Sequence, residues 1–458
     1  MNKRSYTIGR SSSGVASHNR ASISRRDFCA LAAGSFAALA FDRAGAYENM
    51  ESASRTAGFA RVGLDRAADA MRSTIDSGKV PGMVSLLARQ DEVHVEAIGL
   101  QDTATEAPMR RDTIFRIASM TKPVSAAAAM ILVEEGMIGL DDPVDRWLPE
   151  LANAKVLRTI ESPLDDTVSS KRSVNLRDLQ TMRLGFGAVM APLDTYPVQN
   201  PIADLDLAPS GNLFPHSPDE FMQRLGSLPL LHQPGERWMY HTGSDVLGVL
   251  IARVSGQSLE RFLSVRIFAP LGMNDTSFWV PEAKLDRLAT CYQIDLDTGQ
   301  LVVWDKARGG KWSRPPAFEA GGGGLVSTVD DYLAFCRMML NGGRYGSERI
   351  LTRASVEAMT SDQITPAQKA ASPFFPGFWD NQGWGFGLSV TTEPDDISST
   401  PGRYGWAGGY GTTFIADPNS GLVAILLMQR LATGPDDFEI NQQFLKLAYH
   451  ALEDTRCP

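Results

Sequence analysis

A chain of 458 residues that is 43% hydrophobic and 21% charged can bury a sizeable core, which excludes a disordered protein. Its formal net charge of −9, with no basic stripe along the chain, argues against a nucleic-acid binder, because neutralising phosphates needs a basic surface.

The first 46 residues stand apart. Lys3, Arg4, Arg10, Arg20, Arg25 and Arg26 precede the first acid, Asp27; an Ala-rich apolar run then extends from Phe28 to Phe41 and leads to Ala44-Gly-Ala46. That order predicts a signal peptide, and Ser24-Arg-Arg-Asp-Phe28 within it resembles the twin-arginine export motif. The alternative is an unstructured extension followed by a short helix. Cys29 opens the apolar run without a lipobox-like sequence before it, so no lipid anchor is expected. No later run reaches the roughly 18 consecutive apolar residues of a membrane span. The mature chain, from Tyr47 onward, is therefore expected to be periplasmic or secreted, with no stable membrane anchor. Its cysteines, Cys291, Cys336 and Cys457, are odd in number and lack a Cys-x-x-Cys pair, so neither a disulfide framework nor a zinc site follows.

Phe59, Val62, Leu64, Ala67, Met71 and Ile75 recur at helical spacing and predict a helix over 56–77. Two strands over 83–88 and 93–100, split by the polar Arg89-Gln-Asp-Glu92, predict a β-hairpin. From 119 to 281 the pattern is mainly helical, with helices over 119–135, 176–182, 218–225 and 243–254 and Pro-rich connections such as 191–218. Gly321-Gly-Gly-Gly324 reads as a tight turn feeding a helix over 329–340 capped at Ser327 or Thr328; a phosphate cradle would need a following Lys-Ser/Thr. On that helix Cys336 shares a face with Tyr332 and Met339 and is expected in the core. Strands follow over 385–391, 410–417 and 422–430, then an amphipathic helix over 437–452. The two ends are expected to share one antiparallel sheet. The resulting α/β (α+β) arrangement has a sheet flanked by N- and C-terminal helices, built from 47–118 and 282–458, with a helical lobe inserted over 119–281.

The chemistry centres on Ile117-Ala-Ser-Met-Thr-Lys122, which opens an Ala-rich helix of the buried type. Residues three apart share a helix face, so the Ser119 hydroxyl and the Lys122 amine can meet, and Pro123 is tolerated because first-turn amides have no partner within the helix. Free N–H groups at the helix start can hold an oxyanion, and the helix dipole disfavours a positive charge on Lys122, as a base requires. By itself the pattern is equally an ordinary helix start with a surface lysine. A second element, Trp238-Met-Tyr-His-Thr-Gly-Ser244, sets Tyr240 before another apolar helix, where its phenol can relay the serine proton or simply anchor the helix. None of the six histidines falls in a recognisable triad or a His-Glu-x-x-His helix, and there is no Gly-x-Ser-x-Gly, so no metal is expected.

Ser119-x-x-Lys122, Tyr240-x-Thr242 and Trp406-Ala-Gly408 resemble, in order and context, the three motifs of serine β-lactamases and penicillin-recognising DD-peptidases. The likeness is closer still to the class C-like branch that includes the family VIII carboxylesterases. It runs from Gly82-Met-Val through Phe115-Arg-Ile-Ala-Ser119, Leu140-Asp-Asp-Pro143, Ile267-Phe-Ala-Pro-Leu-Gly272 and Gly321-Gly-Gly-Gly-Leu-Val-Ser-Thr328 to Gly408-Gly-Tyr-Gly411. The resemblance implies that Ser119 is the acylated nucleophile and that Lys122 and Tyr240 handle its proton. It puts Trp406, Ala407 and Gly408 on an edge strand facing the serine, and pairs the Gly409 N–H with that of Ser119 as oxyanion hole. No cofactor is implied.

Two departures bear on the substrate. Trp406-Ala-Gly408 replaces Lys-Thr-Gly or His-Thr-Gly, removing the cation and hydroxyl that bind a substrate carboxylate. Thr242 replaces an Asn that helps bind an acylamide, and His241 beside it is a candidate substrate contact. A neutral ester needs neither lost group. The expected activity is therefore that of a serine carboxylesterase acting on small, largely apolar esters. The alternatives are a β-lactamase or DD-peptidase, or a non-enzymatic penicillin-binding or sensory protein. The aromatic segment Pro373-Phe-Phe-Pro-Gly-Phe-Trp379 either walls the acyl pocket or is plain packing.

Overall fold

The computed structural model of the protein describes residues 58–208, 213–434 and 437–453; the export signal expected over 1–46, with Cys29, and Cys457 lie outside them. Helix α1 (Arg61–Asp76) buries Leu64, Ala67 and Met71 of the positions whose spacing predicted it, together with Ala68, while Val62 faces solvent. The next two strands, β1 (Gly82–Arg89) and β2 (Glu92–Asp102), pair antiparallel as the expected hairpin. A short strand β3 (Ala107–Pro108) closes that edge of the sheet.

The other half of the sheet comes from the end of the chain: β4 (Gln382–Trp384), β5 (Ser389–Thr391), β6 (Tyr404–Gly408), β7 (Thr412–Asp417) and β8 (Leu422–Met428). The spatial order is β4-β5-β6-β7-β8-β1-β2-β3, antiparallel throughout, with the halves joined where Met83 faces Met428 and Leu86 faces Ile425. Helix α1 and the C-terminal helix (Glu439–Glu453) cover one face, tied by the Ala60 N–H donating to the Ala451 carbonyl at 2.8 Å. Met83, Leu87, Ala424 and Leu426 pack on that side with Met71, Phe444 and Ala448. Val84, Leu86, Ile425 and Leu427 pack on the other, so β1 and β8 are buried on both faces, and β8 reads as an unbroken apolar run while β1 is interrupted over 83–88 only by Ser85.

Against that second face lies α2 (Thr121–Glu134), in which every residue from Thr121 to Leu132 is buried. A helix apolar all round must sit inside the protein, and small alanines let neighbours approach it closely. Helix α3 (Thr242–Ser255) packs along it, while α4 (Val329–Leu340) packs on β8 and β1 of the sheet and is capped by the Thr328 side chain accepting from the Asp331 N–H at 3.2 Å. Cys336 is fully buried on α4, and burial pushes its thiol well above the ordinary range. Among the described residues no helix is long and apolar enough to cross a membrane.

Several expected elements differ. The strand expected over 385–391 is instead the hairpin of β4 and β5, because the chain turns at Gly385-Phe-Gly-Leu388, with the Gly385 N–H donating to the Leu388 carbonyl at 2.9 Å. The helix expected over 176–182 stops at Gln180, since Met182 takes a left-handed backbone at φ +58°. The connection over 191–218 carries a short helix, Gln199–Asp204, that buries Ile202. Within the helical stretch a two-stranded ladder also forms between Lys155–Leu157 and Thr167–Ser169. Finally, the strand bearing Trp406 is not an edge strand throughout: β5 pairs with Tyr404 and Gly405, and only Trp406–Gly408 have no strand partner on that side.

Just before α2, the Arg116 guanidinium is buried against Asp305, the two side chains being 2% and 4% exposed. Arg116 Nε donates to Asp305 at 3.0 Å, Nη1 donates to the Ala289 carbonyl at 2.6 Å, and the Trp312 ring lies 5.2 Å away. Removing one partner leaves a charge buried alone, so Arg116→Ala is expected to lose about 3–5 kcal/mol of stability. Urea unfolding followed by tryptophan fluorescence checks this; an unchanged midpoint would show that the pair contributes nothing.

Candidate active site

The chain reaches Ser119 through a short ladder in which Phe115 and Arg116 pair with Ser327 and Val326. Ala118 then takes a left-handed backbone at φ +44°, and the turn Ala118–Met120 runs directly into α2. Ser119 thus sits at the mouth of the helix, with Lys122 in its first turn. Strand β6 presses on the same turn: a Cβ on Gly408 would lie 2.3 Å from the Ile117 carbonyl, so only glycine permits this approach.

The structure brings Ser119, Lys122, Tyr240 and Trp406 together. Lys122 is 0% exposed, and its Nζ donates to Ser119 Oγ at 2.9 Å and to the Gly322 carbonyl at 2.6 Å. The Tyr240 hydroxyl donates to Ser119 Oγ at 2.7 Å and accepts from the Trp406 indole N–H at 2.9 Å. Lys122 Nζ also lies 4.5 Å from the centre of the Tyr240 ring, so phenol and amine flank one hydroxyl. An oxygen contacted by an amine and a phenol at these distances has the geometry of an activated nucleophile.

This cluster opens on a cavity of about 480 Å³, whose wall includes Ser119, Tyr240, Trp406, Gly409, Phe374 and Phe378. The aromatic segment both packs and lines: Phe374, Phe378, Trp379 and Trp384 surround the Trp238 ring at 5.2–5.3 Å, while Phe374 also reaches the Tyr240 ring at 5.4 Å. Gly409 and Ala407 line the cavity too. Thr242, by contrast, is buried in the first turn of α3 and is not part of the cavity wall, nor is Gly408, whose place is the contact with Ile117.

His241 lines the cavity with its Nε2 3.4 Å from Asp245 Oδ2. Burial, helped by the nearby Lys122, holds its imidazole well below the ordinary range, so the two do not form an ion pair at neutral pH. Burial also pushes the Asp245 carboxyl up to about 6, against the opposing pull of Lys122 and the Gly322 N–H. Sequence reasoning passed over Asp245, Ser125 and the Gly321–Gly322 backbone as parts of the site. Asp245 has the look of the common acid at a helix start, and its one signal was its place before an unbroken apolar run, Val246-Leu-Gly-Val-Leu-Ile251.

The family model described as Beta-lactamase matches residues 66–448. The chain is 38% identical over 379 residues to Protein Rv1367c of Mycobacterium tuberculosis, covering 80% of this chain and 90% of that protein. It is 31% identical over 375 residues to Esterase EstB of Burkholderia gladioli, covering 76% and 86% of the two chains. Among solved structures, EstCE1, titled a hydrolase with promiscuous acyltransferase activity, shares the fold with a TM-score of 0.70 at 24% identity, covering 84% of this chain and 98% of that one. The chain belongs to the β-lactamase family of serine hydrolases.

Proposed function

We propose that this protein is a serine carboxylesterase that hydrolyses small, largely apolar esters through an acyl-enzyme on Ser119. The observation that carries the proposal is the Trp406 indole, which donates to the Tyr240 hydroxyl at 2.9 Å from the motif position where lactam-recognising sequences have Lys or His. An indole offers no cation to a substrate carboxylate, whereas a neutral ester presents none. The aromatic wall favours apolar acyl or alcohol groups, and the likeness to EstB supports the same substrate class.

In this reading Ser119 Oγ attacks the ester carbonyl carbon as its proton passes to the Tyr240–Lys122 pair. The N–H groups of Ser119 and Gly409 receive the oxyanion. Collapse breaks the bond to the alcohol oxygen, which takes the proton back. The same pair then accepts a proton from water, whose attack on the acyl-enzyme releases the acid and restores Ser119.

Side-by-side hydrolysis of p-nitrophenyl butyrate and a chromogenic cephalosporin by the purified protein tests this. The ester is expected to exceed the lactam in kcat/KM by about 100-fold or more, the discrimination that follows when a charged substrate group finds no partner. Lactam turnover outpacing the ester would contradict the reading of Trp406.

A further inference from the structure

We propose that Asp245 is a positioning residue, one that holds Lys122 in place beside Ser119 both by fixing the Gly321–Gly322 backbone and by the charge of its carboxylate. The proposal rests on the serine-hydrolase reading of the same site.

Asp245 stands in the first turn of α3 and is 1% exposed. Its Oδ1 accepts from the Gly322 N–H at 2.9 Å. The carbonyl of the same peptide, that of Gly321, accepts from Ser125 Oγ on α2 at 2.8 Å, so one peptide plane is held at both ends. In the next peptide, the Gly322 carbonyl accepts from Lys122 Nζ at 2.6 Å. Where Asp245 places Gly322 therefore decides where the amine sits relative to Ser119 Oγ. The fit is close: a Cβ on Gly322 would lie 2.7 Å from Asp245 Oδ1, so a larger residue there would push the carboxylate aside.

An acid at a helix start normally serves the dipole from the surface, where it stays hydrated. Asp245 is instead buried in the cavity wall, and its Oδ2 has no hydrogen-bond partner, the nearest candidate being His241 Nε2 at 3.4 Å. Burying a carboxylate this way costs stability, and an apolar residue would fill a merely structural position better. A role near Lys122 accounts for it. The carboxylate beside Lys122 offsets a positive charge on that buried amine. The groups facing Asp245 are Lys122 from α2, His241 from its own helix start and the Gly322 N–H from the glycine turn.

The test uses the full chain and two variants. Asp245→Asn keeps an acceptor for Gly322 but removes the charge; Asp245→Ala removes both. Two rates are read: p-nitrophenyl butyrate hydrolysis, and labelling of Ser119 by a fluorophosphonate probe, which needs the activated serine but no particular ester. Asp245→Asn is expected to lower kcat by about 10-fold and Asp245→Ala by about 100-fold, with KM within about threefold and labelling slowed in parallel. The wild-type kcat/KM should fall below a pH near 6, and this acid limb should vanish in Asp245→Asn. Wild-type rates and an unchanged acid limb in Asp245→Asn would overturn the proposal, as would a loss that tracks a lowered melting temperature. If Asp245→Ala does not fold, Asp245→Asn decides alone. Wild-type protein that is labelled but cleaves no ester would remove the esterase reading and leave the labelling rates to decide on Asp245.

Discussion

Ser119→Ala is expected to lower kcat/KM for p-nitrophenyl butyrate by about 10⁴-fold or more, a loss of about 5.5 kcal/mol of transition-state stabilisation. The reason is local. The Lys122 amine and the Tyr240 phenol converge on this one oxygen, at 2.9 Å and 2.7 Å, and no other hydroxyl among the described residues is bonded to both. Ser119 is half-buried on a rigid turn, so the change removes one oxygen and little packing. The melting temperature should hold within a few degrees, which steady-state kinetics and calorimetry on the same preparation establish. A variant that keeps a tenth of the wild-type rate would place the nucleophile elsewhere.

Lys122→Met is expected to cost about 10³-fold in kcat, the middle of the range for a positioned base. Methionine keeps most of the length and fills the buried channel between Gly322 and the Tyr240 ring, so packing is retained while the amine is lost. The Gly322 carbonyl loses its Nζ donor, which costs about 1–3 kcal/mol, in part offset by no longer burying an amine. With substrate contacts intact, KM should change little. A large rise in KM at constant kcat would mean that Lys122 binds substrate rather than moving a proton. Tryptophan fluorescence, sensitive to Trp406 and Trp238 nearby, reports whether the site keeps its shape.

Asp245 shows how the same site bears on stability. Its folded pKa of about 6 lies above the ordinary 3.8, so the folded chain holds this proton more tightly than the unfolded chain. The group's stabilising contribution is therefore fully present below about pH 4 and is lost as pH rises through 6, by about 3 kcal/mol. Asp245→Asn escapes that loss. It should unfold at a higher temperature than wild type at pH 8 while turning over more slowly, the reverse of what a structural residue does.

What the sequence made legible follows from the range of each interaction. Ser119 and Lys122 are three residues apart on one helix, a spacing that needs no tertiary knowledge. Helix α1 and strands β1 and β8 announce themselves because each buries a face with a simple period or a nearly continuous apolar run. Strand β6 does not: Tyr404-Gly-Trp-Ala-Gly408 has two glycines and weak strand propensity, and only the family resemblance marked it. That resemblance treated β6 as an edge, and the short strand β5 covering Tyr404 and Gly405 was invisible because a glycine turn splits it from β4. Thr242 drew a substrate role from its motif position, yet the helix it starts carries its side chain into the interior. The Gly322 carbonyl could not be found by spacing, since the partner it serves is 200 residues away and backbone atoms leave no mark in composition.

Whether Ser119 carries the acyl group can be read by mixing the protein with p-nitrophenyl butyrate, quenching in acid within the first turnovers, and mapping the digest by mass spectrometry. One butyryl group is expected on the peptide containing Ser119, absent from Ser119→Ala. Release of p-nitrophenol with the acyl group on another residue, or with no acylated peptide at any quench time and undiminished turnover by Ser119→Ala, would contradict an acyl-enzyme at Ser119.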